Sequence, residues 1–430
     1  MNLTSQIYDR LSNLVVNTGW GRKDSAPPRP ETLVETARNL SGLRSETRVM
    51  AQATELLAGY AVLDDAGKLA FFESLRDGFD PDPDALAEAA RQYLESASPG
   101  RLETLSRLAE PPRQELLRRL NTAAGGTAAL VGMRDDLLRL TGRDSAFARV
   151  DADFRHLLRS WFNRGFLQLV RIDWRSPALL LEKLIKYEAV HEIRDFRDLQ
   201  RRVLPVDRRC YAYMHPAMPD EPLIFVEIAL INGLPDSVQE LIDEARDVLP
   251  PDQADTAVFY SISNCQNGLA GISFGNLLIK NVVAELLREL PNLTTFVTLS
   301  PIPGLRKWLE ERAGDEPAIA KLLQEFDPVA LSAQTARYLL KARDTKERPR
   351  DPVARFHLGN GAEAHRVIPD ADISERGQRQ SLGMMVNYLY DLKRIETRHD
   401  SFTERGVIAA PRKMQDMARK AEPKQTDGET

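Results

Sequence analysis

The chain of 430 residues carries 58 Lys and Arg against 63 Asp and Glu, which gives a formal charge of −5. At about 100–200 residues per domain, this length predicts two or three domains, and the mildly acidic balance argues against a nucleic-acid-binding protein, which needs a strongly basic face. The most apolar stretch, Leu223 to Ile231, has nine residues and is interrupted by Glu227, whereas a membrane span needs about 20, so neither nucleic acid nor membrane is an expected partner.

The cysteines and the chain ends carry no recognisable signal. Cys210 and Cys265 are far apart and belong to no CxxC motif or Cys/His cluster, so neither a disulfide framework nor a metal site is expected. Met1 to Gly19 lacks the basic, apolar and small-residue segments of a secretory signal, and the last residues, Asp427 to Thr430, are not Ser-Lys-Leu. We therefore expect a cytoplasmic protein.

In the first part of the chain the apolar residues recur every three or four positions, which is the spacing of helices with one buried face. Helices are predicted over Asp84–Ala97, over Arg101–Leu120 with a break at Pro111-Pro112, and over Ala129–Leu140. Residues 1–158 are therefore predicted to form an all-α domain, whose Ala-, Arg- and Glu-rich faces can meet solvent or a second subunit.

From about residue 159 onward, runs rich in Val, Ile, Phe and Tyr alternate with helical segments, which is typical of a mixed α/β domain. Strands are predicted at Pro222–Ile231, Ala257–Ile262, Thr294–Leu299 and Ser381–Tyr390. Helices are predicted at Asp236–Leu249, Asn276–Leu290, Leu305–Arg312 and Pro328–Lys341. The polar residues at about 420–430 are expected to lack fixed structure. The predicted fold class is α+β, with the second domain over residues 159–430.

A glycine-containing segment, Gln266–Asn276 (QNGLAGISFGN), joins a predicted strand to a predicted helix. Such a segment can turn backbone N–H groups toward a phosphate or pyrophosphate at the helix N-terminus. A tight turn explains its three glycines equally well, because neither GxGxxG nor GxxxxGKS is present. Gly271 to Gly275 also match the GxSxG elbow of hydrolases. About ten residues separate Ser273 from the end of the strand, however, so a hydrolase is disfavoured.

Ser300 and His357 are the candidate catalytic side chains. Ser300 opens the stiff segment Ser300–Gly304 (SPIPG) directly after a predicted strand, where open α/β sheets commonly hold ligands. His357 stands in Phe356–Ala362 (FHLGNGA), between apolar neighbours and a small-residue turn. A turn or cap serine and a structural histidine are the alternative interpretations at this point.

Several segments, taken together, resemble the malonyl-CoA decarboxylase family. Each is short, but their order and spacing are specific, and the resemblance covers at least residues 160–390. The segments are Trp161-Phe162, Gly165–Leu167, Arg208–Tyr211, Glu221–Leu223, Tyr260–Ser263, Gln266, Gly268-Leu269, Gly271, Leu278–Lys280, Leu299–Gly304, Lys307–Leu309, Phe356–Leu358 and Asn360–Ala362.

This resemblance implies a helical N-terminal domain that mediates oligomerisation and a catalytic domain similar to the GNAT acetyltransferases, which bind acyl-CoA between two splayed strands. It makes Ser300 and His357 the catalytic pair. Lys280 is then a weaker phosphate candidate, and Tyr390 is a possible hydrogen-bond donor near the site. The implied malonyl-CoA loop consists of Ala270, Gly271, Ile272, Ser273, Phe274, Gly275 and Asn276.

The implied reaction converts malonyl-CoA to acetyl-CoA and CO2. Because the thioester carbonyl accepts the electrons of the breaking C–C bond as an enolate, no cofactor and no metal are needed. Ser300 is expected to orient the malonyl carboxylate or accept its proton, and His357, with an ordinary pKa of about 6.5, to protonate the carbanion. An acyl-CoA-dependent acetyltransferase and a non-enzymatic malonyl-CoA sensor are the alternatives. The helical domain predicts a homo-oligomer, either a dimer or a tetramer.

Overall fold

The computed structural model describes residues 29–142, 144–163, 165–272 and 277–423. Contacts divide the chain into two compact units. The first unit holds the described residues up to Leu167, together with His215–Pro219 and a short segment that starts at Gln266. The second unit holds Gln168–Met214, Asp220–Cys265 and the described residues from 277 onward. The domain boundary at residue 158 stays a prediction, and residues 424–430 of the expected unstructured tail lie outside the described residues.

Helices form the first unit. All three helical regions predicted here are confirmed, and Pro111-Pro112 separates two helices as expected. In chain order the helices are α1 (Pro30–Gly42), α2 (Glu46–Ala61), α3 (Asp65–Gly78), α4 (Pro83–Glu95), α5 (Pro99–Ala109), α6 (Pro112–Leu120), α7 (Gly126–Thr141) and α8 (Ala148–Trp161).

The core of the first unit combines aromatic packing with one buried ion pair. Tyr60 on α2 contacts Phe71 and Phe72 on α3 edge-on, with ring centroids 5.4 and 5.9 Å apart. Arg113 on α6 is buried as well, and its guanidinium lies 2.6 Å from the Asp153 carboxylate on α8. A buried charge is tolerated only when it is paired and hydrogen-bonded in this way, so this pair fixes how α6 and α8 pack.

The second unit is built on a mixed sheet in which the described residues form eight strands, in the order β1-β2-β3-β4-β5-β8-β6, with β7 paired to β8. The strands are β1 (Gln168–Ile172), β2 (Arg208–Met214), β3 (Ile224–Ile231), β4 (Thr256–Asn264), β5 (Thr295–Thr298), β6 (Ser300–Pro301), β7 (Glu363–Ile368) and β8 (Met385–Leu389). The helices are α9 (Ala178–Tyr187), α10 (Phe196–Val203), α11 (Val238–Ile242), α12 (Leu277–Glu289), α13 (Leu305–Arg312), α14 (Pro317–Gln324), α15 (Pro328–Lys341), α16 (Pro352–Gly359), α17 (Glu375–Ser381), α18 (Ile395–Arg405) and α19 (Arg412–Lys420).

Two neighbouring parallel strands part in the middle of this sheet. β4 and β5 pair only from Thr256 opposite Thr295 to Phe259 opposite Thr298. Beyond that point β4 continues to Asn264 beside β3, while the chain after β5 moves to β8 as strand β6. The gap between β4 and β6 is the splay that the resemblance implied, and the predicted α+β fold class is confirmed.

The structure corrects one predicted helix and adds strands. The helix expected over Asp236–Leu249 is wrong beyond α11, because Arg246 and the backbone N–H of Leu249 bind the Asp207 carboxylate instead. Strands β1, β2, β6 and β7 were not predicted. Within the described part of the chain, no helix is long and apolar enough to cross a membrane.

Candidate active site

Ser300 lies where the chain leaves β5, and it is the first residue of β6. Its buried hydroxyl donates to Thr298 Oγ1 over 2.8 Å. The same Thr298 oxygen accepts from the backbone N–H of Tyr388 on β8 over 3.1 Å. Because side chains two residues apart on a strand share a face, the threonine holds the Ser300 hydroxyl in one orientation.

His357 is presented by the last turn of α16. Its ring is buried, and its Nε2 lies 3.1 Å from Ser300 Oγ. The other ring nitrogen, Nδ1, lies 2.8 Å from Tyr390 Oη. The Tyr388 ring stacks on the imidazole with centroids 4.5 Å apart. The fold thus brings together the two predicted catalytic side chains, which are 57 residues apart in the chain, and adds Tyr390 as a direct partner of the histidine.

Burial controls the protonation of this pair. It lowers the pKa of His357 to about 3, because the imidazolium would lose its hydration. The expected ordinary pKa of about 6.5 is therefore wrong for the unliganded protein, and the ring is neutral near neutral pH. Burial also raises the pKa of Tyr390, so that hydroxyl keeps its proton.

These protonation states assign a direction to the hydrogen bonds. The Ser300 hydroxyl donates its only hydrogen to Thr298, so Ser300 Oγ accepts from Nε2 of His357. The Tyr390 hydroxyl donates to the remaining ring acceptor, Nδ1. A neutral imidazole that accepts at Nδ1 carries its proton on Nε2. Nε2–H then donates to Ser300 Oγ, and the Ser300 hydroxyl donates to Thr298. We therefore assign the Nε2–H tautomer to His357.

Replacing Tyr390 by Phe is expected to lower kcat by about two- to tenfold, because the imidazole loses a hydrogen bond that contributes about 0.5–1.5 kcal/mol. Steady-state kinetics with malonyl-CoA, the substrate that the resemblance implies, measures this. Tyr388→Phe is the matched control, since its ring stacks on His357 while its hydroxyl has no partner among the described residues. An equal loss in both variants would contradict the role assigned to the Tyr390 hydroxyl.

Ser300 and His357 line a cavity of about 240 Å³ in the second unit. Its walls come from both sides of the gap in the sheet, with Tyr260, Ile262 and Asn264 on β4 and Pro301 on β6. Phe356 and other mostly apolar residues complete it. A largely apolar cavity with a few polar groups, here an amide, a hydroxyl and an imidazole, is typical of a small-molecule site.

The predicted malonyl-CoA loop is described in part. Ala270, Gly271 and Ile272 follow a short turn, and Gly271 adopts φ +75°, a conformation that favours glycine. Ser273, Phe274, Gly275 and Asn276 lie outside the described residues.

Arg134 on α7 holds the start of this loop within the first unit. Its buried guanidinium donates to the carbonyl oxygens of Gly268 and Ala270 over 2.7 and 2.9 Å, and to Asp151 over 2.8 Å. Nothing in the sequence pattern marks Arg134, because it is one of many arginines on these helices. Lys280, the weaker phosphate candidate, pairs with Glu396 at 2.5 Å, so its charge already has a partner.

Two further residues of the site were missed in the sequence although each carries a signal. Thr298 precedes Ser300 by two positions on a predicted strand, so a shared face was foreseeable. Asp351, directly before Pro352, matches the start signal of a helix and caps α16 by accepting from the backbone N–H of Ala354 over 2.8 Å.

Comparisons with family models, with solved structures and with related sequences identify the same family. The model of the malonyl-CoA decarboxylase N-terminal domain matches residues 79–162, and that of the C-terminal domain matches residues 165–329 and 315–428. The crystal structure of malonyl-CoA decarboxylase from Rhodopseudomonas palustris is 48% identical with a TM-score of 0.87, covering 91% of this chain and 100% of that chain.

A second crystal structure, of malonyl-CoA decarboxylase from Agrobacterium vitis, is 44% identical with a TM-score of 0.83, covering 90% of this chain and 99% of that chain. The mitochondrial malonyl-CoA decarboxylase of Anser anser anser is 34% identical over 416 residues, which are 86% of this chain and 80% of that protein. Given these matches along both units, the chain belongs to the malonyl-CoA decarboxylase family of carboxy-lyases.

Proposed function

We propose that this protein decarboxylates malonyl-CoA to acetyl-CoA and CO2, with Ser300 and His357 as the catalytic pair. The observation that carries the proposal is the 3.1 Å contact between Ser300 Oγ and His357 Nε2 in a cavity beside the parted strands. Family membership supports the reaction, and this contact supports the assignment of residues. The proposed malonyl-CoA loop is Ala270 to Asn276.

The reaction needs charge stabilisation and one proton. The bond between C2 and the malonyl carboxylate breaks, CO2 leaves, and the electron pair passes into the thioester carbonyl as an enolate. Donors aimed at the enolate oxygen lower the barrier, and Asn264, which lines the cavity, is the candidate for such a donor. Ser300 orients the malonyl carboxylate through its hydroxyl, because this carboxyl group is ionised near neutral pH and has no proton to give up.

Binding of the substrate favours protonation of His357. A carboxylate bound close to His357 raises the pKa of the imidazole, because an opposite charge favours the protonated form. The Nε2–H ring takes up a proton from solvent at Nδ1 and then delivers the Nε2 hydrogen to C2 of the enolate. One proton is consumed per turnover, proton exchange with solvent returns the neutral ring to its Nε2–H form, and the products are acetyl-CoA and CO2.

The test is to mix the purified protein with malonyl-CoA and follow acetyl-CoA and CO2 together, without added cofactor. Equal molar yields of both products are expected. Binding of malonyl-CoA without turnover would instead indicate a sensor, and acetyl transfer to an added amine would indicate an acetyltransferase. Either result would overturn the proposed reaction.

We also propose that the chain forms a homo-oligomer through α4 and α5. Among the residues of these helices only Ala89 is buried, although Leu94 and Leu102 stand at the apolar positions of their helices. Leu94 is 84% exposed and Leu102 is 47% exposed. Apolar side chains at helical spacing that find no core in their own chain suit a second copy of it.

The double substitution Leu94→Asp/Leu102→Asp is expected to shift the particle toward monomer, because it places charges in the centre of this surface. Light scattering after size-exclusion chromatography measures the mass. Val62→Asp is the control, since Val62 is 61% exposed and lies outside α4 and α5. Equal masses for all variants would exclude these helices as the interface.

A further inference from the structure

The catalytic contact joins two separate segments of the second unit. Ser300 begins the segment Ser300–Gly304, which leads into α13, and His357 lies in the last turn of α16. A hydrogen bond between them requires that the two segments keep a fixed separation. A buried side chain lies against both segments.

That side chain is Asp351, which is 1% exposed. Its Oδ1 accepts from the backbone N–H of Ala354 in the first turn of α16 over 2.8 Å. A Cβ atom built on Gly304, at the end of the serine segment, would lie 3.9 Å from Asp351 Oδ2, so the backbone N–H of Gly304 lies beside this carboxylate and opposes the rise in its pKa that burial causes. On a third side, Tyr338 Oη on α15 lies 3.4 Å from Asp351 Oδ2.

The fit around Gly304 leaves no room for a larger residue. A Cβ atom at this position would stand 2.2 Å from Tyr338 Oη and 3.4 Å from Tyr338 Cζ. The first distance is far below any normal contact, whereas the second is tolerable. The segment that starts at Ser300 can therefore approach Asp351 and Tyr338 this closely only with glycine.

The carboxylate can serve both segments because it has two acceptor oxygens. Burial raises the pKa of Asp351 to about 6, against the opposing effect of the N–H groups of Ala354, Val353 and Gly304. The group is thus mainly ionised near neutral pH. Asp351 is not part of the cavity wall, so it has no direct contact with the reacting atoms there.

We propose that Asp351 is a positioning residue, which sets the distance between Ser300 Oγ and His357 Nε2 by holding Gly304 and the start of α16 on one carboxylate. This role rests on the proposed function. Asparagine at position 351 would present one acceptor and one donor. The side chain then loses its negative charge and one of its two acceptor oxygens, so its hold on the two segments is weakened.

Asp351→Asn is therefore expected to lower kcat for malonyl-CoA by about tenfold or more, as a small misplacement of reacting groups does, with KM changed less than about twofold. Asp327→Asn is the matched control, because Asp327 caps α15 through the N–H groups of Val329 and Ala330 without contact to the serine segment. A loss confined to KM, or an equal loss in the control, would overturn the proposal.

A second pair of variants tests the close contact between Gly304 and the Tyr338 hydroxyl, beside Asp351. Gly304→Ala is expected to lower kcat, because the new methyl group meets the Tyr338 hydroxyl. Adding Tyr338→Phe should restore part of the activity, since the nearest remaining atom is then Cζ at 3.4 Å. Absence of any recovery would contradict the conclusion that the Tyr338 hydroxyl restricts position 304 to glycine.

A crystal structure of the Asp351→Asn variant separates this proposal from the proposed function. The distance between Ser300 Oγ and His357 Nε2, 3.1 Å in the native protein, should exceed 3.5 Å. An unchanged distance would overturn the positioning role even if the native protein decarboxylates malonyl-CoA. A lengthened distance would support it even if the native protein forms no acetyl-CoA, which would by itself refute the proposed function.

Discussion

Replacing His357 by Gln is expected to lower kcat for malonyl-CoA by about 10²–10⁴-fold, which is the usual contribution of a positioned general acid. Glutamine keeps a hydrogen-bonding side chain of similar length but cannot transfer a proton. Affinity for CoA should stay within about threefold. The phosphates of CoA are expected to bind backbone N–H groups of the proposed malonyl-CoA loop, and His357 is not part of that loop. Stopped assays of acetyl-CoA formation and calorimetry with CoA measure the two quantities.

The control for this variant is His215→Gln. His215 is also buried, and both its ring nitrogens are engaged, one with Trp161 O at 3.1 Å and one with the N–H of Ala217 at 3.1 Å. Loss of these bonds affects stability without removing a proton donor from the cavity. Near-native turnover of His357→Gln, or an equal loss in His215→Gln, would refute the role of His357.

The lowered pKa of His357 also predicts that the stability of the native protein and that of His357→Gln depend differently on pH. Between about pH 6.5, the pKa of an unfolded histidine, and its folded pKa of about 3, only the unfolded chain takes up the proton. The free energy of unfolding therefore falls as pH is lowered through this window. His357→Gln lacks this contribution, so urea unfolding should show a weaker acid destabilisation than in the native protein.

Replacing Ser300 by Ala is expected to lower kcat by about 10²-fold, comparable to the removal of one preorganised donor from an active site. The variant loses the group that orients the malonyl carboxylate and also the acceptor of the His357 Nε2–H bond. The double variant Ser300→Ala/His357→Gln should be little slower than the worse single variant, because residues that act as a unit are not additive.

Ser332→Ala is the matched control for Ser300, because the Ser332 hydroxyl is buried and donates to the backbone carbonyl of Pro328 over 2.7 Å. Its kcat should equal that of the native protein. If the losses of the Ser300 and His357 variants multiplied in the double variant, the two residues would act independently, and the catalytic pair would have to be abandoned.

Local signals explain which elements were predictable from the sequence. The helices at 305–312 and 328–341 were predicted with the bounds that the structure has, because their apolar spacing and starting residues agree. Asp327 followed by Pro328 is a clear start signal. The segment after Asp236 has a similar pattern, but Asp207, 39 residues before Arg246, binds it in another conformation. Tertiary contacts of this kind override local preference.

The site was predictable only to the extent that its residues carry family motifs. Ser300 and His357 stood out in their local sequence, and the resemblance made them the catalytic pair. Arg134 was missed because its role depends on which backbone groups lie next to it in space, and the helix-start signal at Asp351 indicates its cap on α16 but not its position beside Gly304. Neither periodicity nor composition records that kind of proximity.

The orientation of the hydrogen bonds through His357 also bears on which reactions the protein avoids. A serine beside a histidine is the attacking pair of many hydrolases, in which the imidazole removes the serine proton. In the Nε2–H tautomer assigned to His357, Tyr390 donates to Nδ1, and the nitrogen that faces Ser300 already carries a hydrogen and has no free lone pair to receive another. The resting site is therefore poorly suited to form an acyl-serine, and the thioester bond of a bound acyl-CoA is protected from hydrolysis while the carboxylate is removed.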